Sequence, residues 1–208
     1  MLEHVPRWLG GLLRNLRAGH AKLVVVQPGL VPADRRIELK SPAFADGARL
    51  PVRFTADGEG LSPPLLWTAP PAGTASFVLI VEDPDAPALS PLVHAIVWAL
   101  PPDARNIEEG AIRADREGGP DSRDVGRNSF FSEGWLPPDP PTGHGAHDYV
   151  FQLFALSDAP DIGSNPGRSD VVQAIAGKVL AAGVLVGTYS RGEEALPRSG
   201  SGVIGVSA

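Results

Sequence analysis

No cysteine occurs among the 208 residues, so the chain holds no disulfide framework, no thiolate nucleophile and no Cys-based zinc site. Long apolar runs are missing as well. No stretch approaches the ~20 apolar residues that a membrane-spanning helix needs, and the N-terminus shows no basic stub followed by an apolar run and a small-residue cleavage site. The cytoplasm is therefore the expected compartment, with no transmembrane segment. Neither a G-x-S-x-G elbow nor a P-loop is present, so the sequence signals of a serine hydrolase and of a phosphate-loop nucleotide enzyme are lacking. Aromatic residues make up only 6%, with two tyrosines in the whole chain.

What the chain has in quantity is Gly, at 24, and Pro, at 22, which implies many turns and favours short strands over long helices. Its length suits one domain with one core. The net charge of −6 is unevenly spread: residues 1–40 carry +4 and the remainder −10. An acidic body argues against nucleic-acid partners, because a phosphate backbone needs a basic footprint.

In residues 5–16, VPRWLGGLLRNL, the apolar side chains recur at helical spacing with Arg7, Arg14 and Arg17 elsewhere on the wheel. This predicts a short amphipathic helix within an N-terminal segment 1–35, ahead of a domain over 36–208. Its apolar face would dock on its own domain or on a second copy, giving a homodimer; a basic amphipathic helix can also lie on a membrane surface. Extended segments follow, broken at Asp46-Gly47 and Asp57-Gly58. Residues 62–73, SPPLLWTAPPAG, are too proline-rich to be expected as a central strand. Core strands are expected at 76–82, 93–101 and 148–156, each apolar and rich in β-branched or aromatic residues. A helix is expected after Ser169 as its cap, running through DVVQAIAGKVLAAG to a stop at Gly183, then a last strand LVGTYSR. The element order argues for an antiparallel all-β sandwich with a C-terminal helix.

Three clusters carry the polar chemistry. Asp83-Pro84-Asp85-Ala86-Pro87 follows the apolar strand 76–82, and its prolines restrict where the carboxylates point. His94 starts the next strand, where the pleat gives it the face of Ile96 and Trp98. In PPTGHGAHDY, residues 140–149, a rigid Pro140-Pro141 and two glycines lead into His147 and Tyr149, which share one strand face. If these converge, imidazoles, a phenol and backbone N–H groups would suit an anion such as phosphate, with Asp83 orienting a ring. Protonation of His94 and His147 would then strengthen binding as pH falls from about 7 to 6. The alternative is a metal-dependent hydrolase using His94, His147 and Asp85, with His144-x-x-His147 adding to the His/carboxylate set. Those two His lie in a Gly-rich loop, unlike a helical zincin pair.

The run DGEGLSPPLLW, the DPDAP motif, the strand start at His94, the stretch NSFFSEGWLPPDPPTGHGAHDYVFQLFAL and the ending AGKVLAAGVLVGTYSR together resemble the phosphatidylethanolamine-binding protein family, in its bacterial, Raf-kinase-inhibitor-like branch. The resemblance spans about residues 40–192. It implies a Greek-key β-sandwich whose pocket binds phosphate, a phosphorylated small molecule or a phospholipid head group, and a protein that restrains kinases or proteases by association, with no cofactor and no catalysis. By position, the pocket would comprise Asp83, Pro87, His94, Pro140, Pro141, His147 and Tyr149, while the position of His144 is variable in that family, which implies a solvated loop residue. The chain departs from the family pattern at Asp148, where an Arg is usual, at Trp135 for a Tyr and at Pro137 for a Gly, and it has Leu92 and Val93 in place of aromatics before His94.

Overall fold

In the computed structural model the described residues are 15–32, 35–114, 124–163 and 165–191. The expected helix at 5–16 therefore lies almost wholly outside them. Among the described residues eight strands form: β1 (Leu39–Lys40), β2 (Leu65–Trp67), β3 (Ser76–Asp83), β4 (Leu92–Leu100), β5 (Asn106–Ile107), β6 (Asp124–Val125), β7 (His147–Leu156) and β8 (Val179–Tyr189). They make two antiparallel sheets, a small one ordered β1-β2-β5 and a large one ordered β6-β4-β3-β7-β8. The helix α1 (Arg168–Ile175) connects β7 to β8.

Why β3 and β7 read as unbroken apolar runs is now plain: the large sheet is covered on both faces, and both strands are buried along their whole length. Alternate residues serve two cores. Phe77, Leu79, Val81, Phe151 and Leu153 pack towards Leu39, Leu65, Trp67 and Ile107 of the small sheet. Val78, Ile80, Phe154 and Leu156 pack on the other side with Val171 and Ile175 of α1 and with Val24 and Leu30 from the N-terminal segment. Each such side chain withdrawn from water contributes about 1.5–3 kcal/mol.

Residues 17–30 are thus a docked strap. The backbone N–H groups of Ala18 and Gly19 donate to the carbonyls of Ala86 and Pro84, Val24 N–H donates to Glu82 Oε2 at 3.0 Å, and Val25 N–H donates to Gln152 Oε1 at 2.8 Å. Glu82 is fully buried and also receives Arg168 Nε at 2.5 Å. A carboxylate at that depth persists only with such partners.

Two expectations fail. Residues 65–67 are a strand after all, and the central one of the small sheet; the prolines flank the three paired residues, so no ladder donor is lost. The C-terminal helix is also shorter than expected. Gly167, not Ser169, is its cap, with its N–H donating to Asp170 Oδ2 at 2.9 Å, and the left-handed Gly177 (φ 74°) turns the chain into β8. Gly183 lies within β8, where a Cβ would sit 2.7 Å from the Ile37 carbonyl oxygen; it is small because a backbone passes there.

Candidate functional site

β3 delivers Asp83 at its last residue, and the following Asp-Pro turn is tied back when Asp85 N–H donates to Asp83 Oδ1 at 2.8 Å. The other oxygen, Asp83 Oδ2, lies 2.7 Å from Nδ1 of His147, the first residue of β7. His147 and Tyr149 fall on the sandwich side of the large sheet, the side of Phe151. His94 joins them for a reason the strand period does not contain. The register between β3 and β4 skips from Val81↔Ala95 to Glu82↔Val93, leaving His94 as the extra residue of a bulge. Simple alternation would have kept His94 with Ile96 and Trp98, which belong to the outer core; the bulge turns it inward against Tyr149, ring centroids 5.0 Å apart and edge to face. Trp135 closes over this group, stacked on Phe151 at 6.0 Å and 6.1 Å from His94, its indole N–H donating to the Phe54 carbonyl. Pro140 and Pro141 are buried, and the Pro141 carbonyl accepts from His144 N–H. Pro87 is half-buried at the end of the Asp-Pro turn.

The polar atoms of this cluster divide into spent and unspent. His94 Nδ1 is 2.7 Å from the Leu136 carbonyl, which can only accept, so Nδ1 carries the proton and Nε2 keeps a lone pair. That Nε2 and the Tyr149 hydroxyl are buried without a hydrogen-bond partner among the described residues. His147 has both ring nitrogens engaged, Nδ1 with Asp83 and Nε2 with His144 Nδ1 at 2.7 Å. Burial holds the His94 pKa below the usual imidazole range despite the opposing pull of Asp83 and the Leu136 carbonyl. The same desolvation, reinforced by Asp83 and Asp139, pushes the Tyr149 phenol well above its usual range. His94 therefore takes up its second proton only at lower pH than an ordinary imidazole, which moves any gain in anion binding from its protonation in the same direction.

His144 is the clearest residue that the sequence reading misplaced. Far from solvated, it is fully buried, and it extends a chain Asp83–His147–His144. The signal was present in T-G-H-G: glycines on both sides adopt φ of 85° and 103°, a conformation that folds the loop inward around the ring. Arg191 was also missed. It holds Asp57 and Asp139 and donates to the Pro140 carbonyl, tying the Pro-rich turn to the end of β8.

Asp148 faces the opposite side, as the pleat requires, but it is buried beside Asp85. Two residues of the strap meet these carboxylates. Arg17 lies 2.5 Å from Asp85 Oδ1, and His20 Nε2 lies 3.7 Å from both Asp85 Oδ1 and Asp148 Oδ2. Burial alone would raise the Asp85 carboxyl, yet His20, the Asp148 N–H and Arg17 together hold it well below the usual carboxylate range. Among the described residues the one grouping with metal-ligand spacing is His20, Asp85 and Asp148. The set His94, His147 and Asp85 is not such a grouping: Asp85 turns to the strap while the two imidazoles turn into the sandwich.

This geometry matches known proteins. The profile of the phosphatidylethanolamine-binding proteins matches residues 40–190. The chain belongs to that family. A UPF0098 protein of Methanothermobacter thermautotrophicus is 39% identical over 156 residues, 75% of this chain and 100% of the relative. A Mycobacterium tuberculosis protein whose name proposes a lipoprotein is 37% identical over 158 residues, 76% of this chain and 74% of the relative. Among solved structures, the E. coli protein YbcL, described as a new member of the mammalian family, superposes with a TM-score of 0.69 at 28% identity, covering 74% of this chain and 98% of that one. A Chlamydia trachomatis homologue gives 0.67 at 31% identity, covering 76% and 99%. The family is a ligand-binding one, and the all-β sandwich with a C-terminal helix is its fold. The strap that carries Arg17 and His20 lies outside the matched span.

Proposed function

We propose that the chain binds a small oxyanion, phosphate or a phosphoryl group, between His94 and Tyr149, and that it acts as a binding protein without catalysis. One observation carries this reading: two fully buried, ring-packed side chains from adjacent parts of the sandwich each keep a polar atom without a partner. Buried polar groups in folded proteins are almost always bonded, and an orphan costs about 1–3 kcal/mol. Two such orphans on rings whose centroids lie 5.0 Å apart are retained at that cost when an external group completes them. Asp83 and His144 keep the His147 ring from turning, and Trp135 supplies an apolar wall, the usual make-up of a small-ligand site.

Calorimetry with inorganic phosphate and phosphoethanolamine, on wild type and Tyr149→Phe, tests the reading, with elemental analysis for bound metal alongside. Wild type is expected to bind and the variant to bind about 10- to 100-fold more weakly, the worth of one hydrogen bond to a charged group. No heat and no chemical-shift change with either ligand at millimolar concentration overturns the proposal. Stoichiometric metal without phosphate affinity moves the function to metal chemistry.

A further inference from the structure

Resting on that oxyanion reading, we infer that the ligand must itself bring a proton: the site takes hydrogen phosphate or the monoanion of a phosphate monoester, and rejects sulfate, phosphodiesters and the fully ionised monoester. The assignment follows from which atoms are left. The Leu136 carbonyl has no proton to give, so the proton of neutral His94 sits on Nδ1, and the Nε2 that faces the site is an acceptor. Asp83 and His147 have no donor to spare for the ligand, because Asp83 Oδ1 already receives the Asp85 N–H and Asp83 Oδ2 is paired with His147, whose other nitrogen meets His144. The Tyr149 hydroxyl remains, and it can donate. The site therefore pairs one acceptor with one donor. A P–OH group meets His94 Nε2 and a P–O⁻ oxygen meets Tyr149; a bare oxyanion would set its lone pairs against that of His94.

The carboxylates near the site are themselves engaged: Asp83 by His147, Asp85 by Arg17, and Asp139 by Arg191. The head group of a phospholipid, a diester, has no P–OH, so the monoester is favoured over the lipid.

Calorimetry across pH 5 to 8 with methyl phosphate, inorganic phosphate, sulfate, dimethyl phosphate and glycerophosphoethanolamine tests this. Methyl phosphate affinity is expected to fall about tenfold per pH unit once its second proton leaves, near pH ~6. Inorganic phosphate keeps a P–OH as both its mono- and its dianion, so its affinity should not show that fall between pH 5 and 8. Sulfate and dimethyl phosphate should bind at least about tenfold more weakly than methyl phosphate at pH 5. Equal binding of sulfate or dimethyl phosphate, or one pH midpoint common to all ligands, overturns the inference and leaves the oxyanion site standing. Binding of glycerophosphoethanolamine as tight as methyl phosphate overturns it too, because an ammonium would then be the donor. Failure of every ligand at every pH overturns this inference and the proposed function together.

Discussion

Tyr149→Phe should make the ligand-free protein more stable. The substitution keeps the ring, which is fully buried, edge-on to His94 and stacked at 6.5 Å on His147, and removes only a hydroxyl with no partner among the described residues. A buried, unbonded hydroxyl costs about 1–3 kcal/mol, so its loss should return about 1–2 kcal/mol. In a domain of this size that raises the melting temperature by about 2–8 °C. The assay is urea denaturation in phosphate-free buffer, repeated with phosphate. Ligand stabilises only what it binds, by about 2.7 kcal/mol at one hundred times Kd, so wild type should overtake the variant as phosphate is added. The order of stabilities should invert between the two buffers. A variant less stable than wild type by about 1 kcal/mol or more without phosphate would mean that the hydroxyl is already satisfied, and the central argument for a site would fall.

Arg17→Ala should cost about 1–3 kcal/mol at pH 7, since it strips a charged partner from nearly buried Asp85. Asp85 has a depressed folded pKa, so its stabilisation is present above the unfolded value of about 3.9 and is lost as pH falls through the folded value. The gap between wild type and variant should therefore narrow in denaturation curves taken below about pH 4, and a gap that widens there would contradict the pairing. Glu82→Gln should cost about 3–5 kcal/mol, because Arg168 would face a buried neutral amide, and hydrogen exchange at Val24 and Val25 should accelerate. Unchanged exchange would show that Glu82 does not hold the strap. His144→Leu should cost about 1–3 kcal/mol and leave phosphate affinity within about threefold of wild type; a loss as large as that of Tyr149→Phe would put His144 in direct contact with the ligand.

The sandwich was legible because its strands carry their own signature. The runs at 76–82, 93–101 and 148–156 are apolar in both parities, and only a sheet covered on two sides buries both. The site was legible as a set of residues, with Asp83, His94, His147 and Tyr149 brought together, but not as a set of hydrogen bonds. Three things hid the difference. The bulge opposite Val81 that turns His94 inward is a register event between two strands, absent from either alone. The spending of His147 on His144 depends on a loop that closes over 144–147. The tautomer of His94 is set by Leu136, 42 residues away in sequence. The helix end was misread because Gly177 and Gly183 look alike in sequence, although the first supplies a left-handed turn and the second makes room for the backbone at Ile37.

Asp148 and the strap belong to one arrangement around Asp85. An Arg there, as the family pattern leads one to expect, would stand beside Asp85 and neutralise it from within β7. Asp148 instead sets a second carboxylate beside the first, and two buried acids in proximity repel unless cations are brought to them. Arg17 brings that charge, and His20 a ring nitrogen 3.7 Å from both carboxylates, from a segment ahead of the residues 40–190 that the family profile matches. The strap is fastened at its other end by Glu82 and Gln152 and contributes Val24 and Leu30 to the outer core. Its attachment is therefore electrostatic at the Asp85 end and apolar at the sheet. Restoring Arg at 148 should relieve the dependence on Arg17, so that Asp148→Arg combined with Arg17→Ala is more stable than Arg17→Ala alone. Additive losses in that double-mutant cycle would mean that the two sites do not compensate each other.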